Sequence, residues 1–103
     1  MSRIEKIREM LSTNGPDSFL EHALALELIK IGEDNQAVSI FTQLLDRQPD
    51  YVGSYYHLAK IYERIGQPVK AIEIYEKGMD FAQKAKDHHA LNELRMAWED
   101  LVD

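Results

Sequence analysis

The residues best suited to chemistry in this sequence are four histidines and 18 acidic side chains. His88 and His89 are adjacent, and neighbouring side chains on a helix diverge by about 100° around its axis, so the two imidazoles are poorly placed to share one ion. A zinc site usually needs three or four protein ligands, whereas His22 and His57 have no cysteine to join them. We therefore expect structural or exposed histidines and no metal site.

Signatures of catalysis are also missing from the sequence. It contains no glycine-rich phosphate loop, no Gly-x-Ser-x-Gly elbow and no His-Glu-x-x-His helix. Acidic pairs, such as Glu33 with Asp34 and Glu99 with Asp100, are expected at helix starts or on polar faces, where carboxylates are solvated. We expect no catalytic residue, no cofactor and no enzymatic activity.

Length and charge limit the classes of partner. A chain of 103 residues, 45% hydrophobic and 29% charged, has the size and composition of one folded domain. Its formal net charge is -6, and an acidic surface repels nucleic acid and anionic lipid headgroups. No apolar run is long enough for a secretory signal or a membrane span. These features predict a cytoplasmic protein that binds neither nucleic acid nor membrane.

The sequence repeats itself at an offset of 34 residues. Seven positions are identical, where about two would be expected by chance from average residue usage. The identical pairs are Leu24 and Leu58, Ala25 and Ala59, Ile31 and Ile65, Gly32 and Gly66, Ala37 and Ala71, Ile40 and Ile74, and Asp46 and Asp80. The repeat predicts two copies of one structural unit.

Each copy has the pattern of two helices. In the first copy an apolar stripe at helical spacing runs from Leu20 to Ile31, and Gly32 then supplies a left-handed stop. The second helix of that copy ends before Pro49, whereas Pro68 begins the corresponding helix of the second copy. These patterns predict about six helices and no sheet.

Local signals refine the helix ends and the core. Ser18 and Glu21 form the Ser-x-x-Glu pattern of a capping box, and Asp50 is placed to cap the next helix. Gly78 lies within a helix and predicts a close approach between helices. The aromatic side chains expected in the core are Phe41, Tyr62, Tyr75 and Trp98.

With this pattern the chain resembles the tetratricopeptide repeat family. The first repeat matches the family at Leu24, Ala25, Leu28, Ala37, Phe41 and Pro49, and the second matches at Tyr55, Leu58, Ala59, Tyr62, Ala71 and Tyr75. Glu21 and Gln83 depart from it, and the missing proline at Gln83 suggests a last helix that continues toward Ala85.

The resemblance implies an all-α fold, a right-handed α-α superhelix of about six antiparallel helices in a single domain. Residues 1–17 are expected to form an N-terminal helix like half a repeat, and residues 18–51 and 52–85 the two repeats. Residues 86–103 are expected to form a capping helix, polar on its outer side for solubility.

The first helix of repeat one is apolar on two faces. Phe19, His22, Leu26 and Ile29 project within about 40° of the direction opposite Leu24. A helix that is apolar all round is either buried on both sides or carries a binding surface.

The resemblance implies that these four positions, with Tyr56 and Lys60 of repeat two, line a concave groove for a peptide or a partner helix. We therefore expect a protein-binding adaptor or scaffold, with a structural homo-oligomer that uses the same surface as the alternative. The carboxylate clamp of chaperone-binding relatives is not supported, because His22 and Leu26 stand where those relatives place Lys and Asn.

Overall fold

A computed structural model describes residues 1–103, of which 81% lie in helices and none in strands. The six helices are α1 (Arg3–Asn14), α2 (Ser18–Lys30), α3 (Asp34–Arg47), α4 (Gly53–Arg64), α5 (Pro68–Lys84) and α6 (His88–Val102). The connections within residues 1–48 and within residues 49–103 are short, which makes consecutive helices antiparallel neighbours in each of these parts. The predicted all-α fold with six helices is confirmed.

The helices fall into two compact units, residues 1–48 and residues 49–103. In the first unit α2 packs against both α1 and α3. In the second unit α5 packs against α4 and α6, and α4 also contacts α6.

The apolar positions that the repeat shares within its helices supply much of the core of each unit. Leu24 and Leu58 are buried, as are the aromatic rings of Phe41 and Tyr75. Four alanines, Ala25, Ala37, Ala59 and Ala71, are completely buried. Short side chains at these positions let the two helices of each pair approach closely, which is why the repeat retains them.

Two aromatic side chains expected in the core lie at its edge instead. Tyr62 and Trp98 are half-buried. The indole Nε1 of Trp98 donates a hydrogen bond to Glu76 Oε2 at 3.0 Å, because an indole N–H needs a polar partner that the apolar interior lacks. Tyr55 instead fills the centre of the second unit and is 1% exposed.

The two glycine stops end their helices as predicted. Gly32 and Gly66 both have φ near 80°, which glycine adopts without the Cβ clash of other residues. After Gly32 the amide of Glu33 donates to the carbonyl of Leu28 at 2.9 Å, as in a Schellman motif. Ile31 precedes this turn outside the helix and is 61% exposed, so the predicted apolar stripe ends one turn earlier, at Leu28.

A third turn of the same kind ends α5, but it has no glycine. Lys86 has φ 57°, and the amide of Asp87 donates to the carbonyl of Ala82 at 2.9 Å. The Asp87 side chain then accepts from the amide of Ala90 at 3.0 Å and so caps α6. This connection confirms that the helix continues to the neighbourhood of Ala85.

The predicted capping box at Ser18 is wrong. Asp17 is the N-cap of α2, and its side chain accepts from the amide of Leu20 at 2.9 Å. A carboxylate is a stronger acceptor than a hydroxyl and is favoured by the helix dipole, so Asp17 takes the cap and Ser18 becomes the first helical residue. The Ser18 hydroxyl donates to Gln48 Oε1, and Glu21 binds Arg47.

A capping box does occur, at the start of α1, where Ser2 accepts from the amide of Glu5 and Glu5 accepts from the amide of Ser2. The predicted cap at Asp50 is also wrong. The N-cap of α4 is Val52, with no side-chain bond, because the helix begins three residues after Asp50.

Gly78 marks the point where the three helices of the second unit come closest, as its sequence position predicted. A Cβ at Gly78 would lie 2.7 Å from Tyr55 Cβ and 3.1 Å from Leu94 Cδ1. The Tyr55 ring stacks on Phe81, with ring centroids 6.0 Å apart. Only glycine leaves room for this packing.

We expect Gly78→Ala to lower the free energy of unfolding by about 1–3 kcal/mol, the usual cost of overpacking a core. Alanine improves helix propensity by about 1 kcal/mol, but the methyl group would displace Tyr55. The control is Gly53→Ala, where an added Cβ meets nothing within 4 Å. Chemical denaturation should show Gly53→Ala at least as stable as the wild type, and a Gly78→Ala protein of equal or greater stability would contradict this packing.

Lys86→Gly should have the opposite effect and raise the melting temperature. A left-handed backbone costs an L-residue about 1–2 kcal/mol, part of which is offset by the greater freedom of glycine in the unfolded chain. The reciprocal change, Gly66→Ala, should destabilise by about 1 kcal/mol at the equivalent turn. A lower melting temperature for Lys86→Gly would show that its side chain stabilises this turn by contacts that outweigh the strain.

Candidate protein-interaction surfaces

The four predicted site residues of α2 lie along one side of that helix and are called here the α2 patch: Phe19, His22, Leu26 and Ile29. Phe19 is 70% exposed, and the other three are half-buried. The opposite side of the same helix carries Leu24, Ala25 and Leu28, all buried. The structure therefore separates a core face from a partly exposed apolar face on one helix.

Polar side chains hold α2 from both flanks. Arg47 of α3 binds Glu21, and Arg3 of α1 lies 3.7 Å from Glu27. A hydrogen bond from Lys30, 2.8 Å away, lowers the pKa of the Glu27 carboxyl, and the charge of Arg3 lowers it further. These contacts fix the orientation of α2 and leave Phe19 outside them.

His22 has a partner in the core rather than a ligand. Its ring meets Phe41 of α3 edge-on, with ring centroids 5.5 Å apart and planes inclined at 68°. The imidazole of His22 therefore packs against a buried side chain of the first unit, and the residue as a whole is half-buried.

The other two predicted site residues, Tyr56 and Lys60, belong to the second unit and line a small open depression between α4 and α6. This α4–α6 pocket has a volume of about 210 Å³ and is lined by Tyr56, Lys60, Glu93, Met96, Ala97 and Asp100. Sequence reasoning missed the four α6 residues, because it treated the polar side of the helix over residues 86–103 only as a solvated capping face. These residues, at positions 93, 96, 97 and 100, have the spacing of one helix face, and this pattern could have identified them as a common surface.

The charge of Lys60 is already engaged within the unit. Its Nζ lies 3.4 Å from Glu63 Oε2 and 5.5 Å from the centre of the Tyr56 ring. Glu63 also accepts a hydrogen bond from the hydroxyl of buried Tyr75. By contrast, Glu93 and Asp100 have no lysine or arginine partner. The charge of Glu93 acts on His57 and raises its pKa, against the larger lowering by burial.

Titratable groups near the pocket have structural roles. Burial raises the pKa of Tyr75, and the hydrogen bond to Glu63 raises it further. Burial, with a smaller contribution from Asp50, raises the pKa of Tyr55 to about 12, and its hydroxyl donates to the carbonyl of Pro49 at 2.5 Å. Burial lowers the pKa of His57, which favours the neutral ring at neutral pH. The two tyrosines therefore act as protonated hydrogen-bond donors that anchor the helices.

Two further open depressions lie elsewhere on the surface. One lies along α1 beside Met10, and another lies at the turn before α5 beside Val69. No three histidine or acidic side chains are grouped closely enough to hold a metal ion. None of the helices combines the length and the apolar character needed to cross a membrane. The arrangement is suited to non-covalent contact with another surface.

Comparison with known proteins agrees with this architecture. The model of a family described as tetratricopeptide repeat matches residues 32–94. A tetratricopeptide repeat domain protein of Salinibacter ruber, solved by crystallography, is 37% identical over 84% of this chain and 96% of its own, with a TM-score of 0.80. No curated protein sequence matches.

Two solution structures extend the comparison. A tetratricopeptide repeat domain protein from Salinibacter ruber is 36% identical over 86% of this chain and 90% of its own, with a TM-score of 0.82. A protein of Bordetella parapertussis is 22% identical over 98% of this chain and 88% of its own, with a TM-score of 0.85, and shares the fold alone. The resemblance in the repeat motifs is thus confirmed, and the chain belongs to the tetratricopeptide repeat family, whose fold generally serves protein–protein interaction and is typically non-enzymatic.

Proposed function

We propose that this protein is an adaptor or scaffold that binds a peptide or a partner helix, using the α2 patch as an anchor. The observation that carries the proposal is the exposed ring of Phe19, 70% accessible at the second position of α2. A large aromatic side chain has little reason to face solvent in a folded domain, and exposed apolar patches typically mark interfaces. Aromatic residues are also enriched among the anchors of protein interfaces.

The neighbours of Phe19 support a role in contact rather than in packing. Leu26 and Ile29 follow it at helical spacing on the same side of α2 and keep part of their surface accessible. Lys30, the residue after Ile29, is exposed, and its charge is paired with that of Glu27. The result is an apolar strip with little net charge, which suits the hydrophobic side of a partner peptide or helix.

A structural homo-oligomer is the alternative function, because a ring that can bind a partner can also bind a second copy of the chain. In that case the α2 patch would be buried in an interface related by symmetry. The two functions differ in the size of the wild-type protein in solution and in what the loss of Phe19 does to it.

Phe19→Asp should leave the protein folded and reduce partner binding about 30-fold, the effect of losing an anchor worth about 2 kcal/mol. The substitution keeps stability because the residue is exposed and an acidic side chain is favoured in the first turn of a helix. Thermal melting gives the fold, light scattering gives the size, and quantitative capture of protein partners from an extract of the source cells gives the binding.

Val69→Asp is a matched control, since Val69 is 71% exposed and occupies the same second position, in α5. It should change neither capture nor size. If Phe19→Asp converts a larger wild-type particle into a monomer, the homo-oligomer is the correct function. If Phe19→Asp and Val69→Asp capture the same partners as the wild type at unchanged size, the α2 patch has no binding role.

A further inference from the structure

The α4–α6 pocket combines an apolar floor with two acidic side chains. Glu93 and Asp100 are seven residues apart on α6, about 10 Å along the helix at 1.5 Å per residue. Met96 lies between them in sequence and is 69% exposed. Tyr56 of α4 forms part of the opposite wall.

The dimensions of this pocket suit side chains of a polypeptide better than a small molecule. Its volume of about 210 Å³ falls below the roughly 300–1,000 Å³ typical of small-molecule sites. A flexible thioether such as Met96 adapts to irregular partners and packs well against long aliphatic stems. Such stems belong to lysine and arginine, which cover apolar surface while keeping their charge at the rim.

The charges around the pocket favour a basic polypeptide segment over an acidic one. Lys60, the only cation in the lining, is paired with Glu63, whereas Glu93 and Asp100 have no lysine or arginine partner. The charge of Glu93 acts on His57, but burial lowers the pKa of that ring and favours its neutral form at neutral pH. The net charge of the chain, -6, adds a long-range attraction for cations. An acidic segment would meet two carboxylates without a compensating cation.

We infer that the α4–α6 pocket docks a basic segment of a protein partner. The aliphatic stem of an arginine or lysine lies on Met96 and Ala97, and its cation pairs with Glu93 or Asp100. This inference rests on the proposed interaction function and names the class of partner. Two arginines three residues apart in a polyproline II segment, which has three residues per turn and rises about 3.1 Å per residue, lie on the same side about 9 Å apart, close to the spacing of the two carboxylates.

The test uses three synthetic peptides of ten residues that differ only at two positions, three residues apart. The two positions carry arginine, glutamine or glutamate, and the rest of each peptide is neutral. In titrations of the isotope-labelled full chain followed by NMR, the arginine peptide should shift the amide signals of Tyr56, Met96 and Asp100. Its affinity should exceed that of the other two by about tenfold or more and weaken as salt rises.

Paired substitutions assign the effect to the pocket. Glu93→Gln combined with Asp100→Asn should weaken binding of the arginine peptide about tenfold, the scale expected for loss of two charge-assisted contacts. Glu99→Gln combined with Asp103→Asn removes the same charge from α6 and its C-cap residue, outside the pocket, and should change binding less than about twofold. If both double variants weaken binding of the arginine peptide equally, the binding depends on net charge and not on the pocket, and the inference is overturned.

Three further outcomes would overturn it. They are comparable binding of the glutamate peptide, perturbations that avoid the pocket, and a wild-type oligomer that Glu93→Gln with Asp100→Asn dissociates, which would make a second copy of this chain the occupant. A failure here leaves the proposed function standing if capture of partners still depends on Phe19. If Phe19→Asp does not change capture of partners while the arginine peptide binds the pocket, only the role proposed for the α2 patch is wrong.

Discussion

The close contact between Tyr55 and Gly78 organises the second unit. The side chain of Tyr55 occupies the space that a side chain at position 78 would need, since a Cβ added there would lie 2.7 Å from Tyr55 Cβ. The ring of Tyr55 stacks on Phe81, and its hydroxyl reaches the carbonyl of Pro49. One side chain thus ties α4 to α5 and to the segment that enters α4. With α4 fixed in this way, Tyr56 and Lys60 are held beside α6, where the α4–α6 pocket forms.

In the first unit, α2 has a buried side and a partly exposed apolar side. Buried alanines bring α2 and α3 together, and salt bridges from Arg3 and Arg47 flank α2. Surface ion pairs of this kind add little stability. Hydrophobic burial of Leu24 and Leu28 provides the energy, and the side of α2 that bears Phe19 remains available for contact.

Much of the fold followed from periodicity in the sequence. The 34-residue repeat identified the buried leucines and alanines and the glycine stops, because close packing and a left-handed backbone each allow few residue types. Gly78 was identified for the same reason. Helix starts were harder, since Asp17 and Ser18 are both good caps and only their competition decides between them. The predicted cap at Asp50 was wrong because a turn at Tyr51 and Val52 precedes α4. The hydroxyl of Tyr55, which donates to the carbonyl of Pro49, links this turn to the helix.

The candidate site was less predictable than the fold. The position of Phe19 opposite Leu24 was predicted, but the sequence left open whether that side of α2 is buried or exposed. The contact of His22 with Phe41 depends on three-dimensional packing. The acidic residues of α6 looked like an ordinary solvated face. Only the structure shows that Glu93 and Asp100 border a pocket with Met96 and that Lys60 is neutralised by Glu63.

The central claim is that this protein binds a protein partner, and the α2 patch of the first unit and the α4–α6 pocket of the second unit are the two proposed contact surfaces. Hydrogen exchange measured by mass spectrometry, on the free protein and on its complex with a captured partner, tests that claim directly. Binding should slow exchange in residues 18–30, 53–64 and 88–102, with smaller changes in residues 34–47 and 68–84. Protection confined to residues 34–47 and 68–84 would place the partner on α3 and α5 and contradict the account.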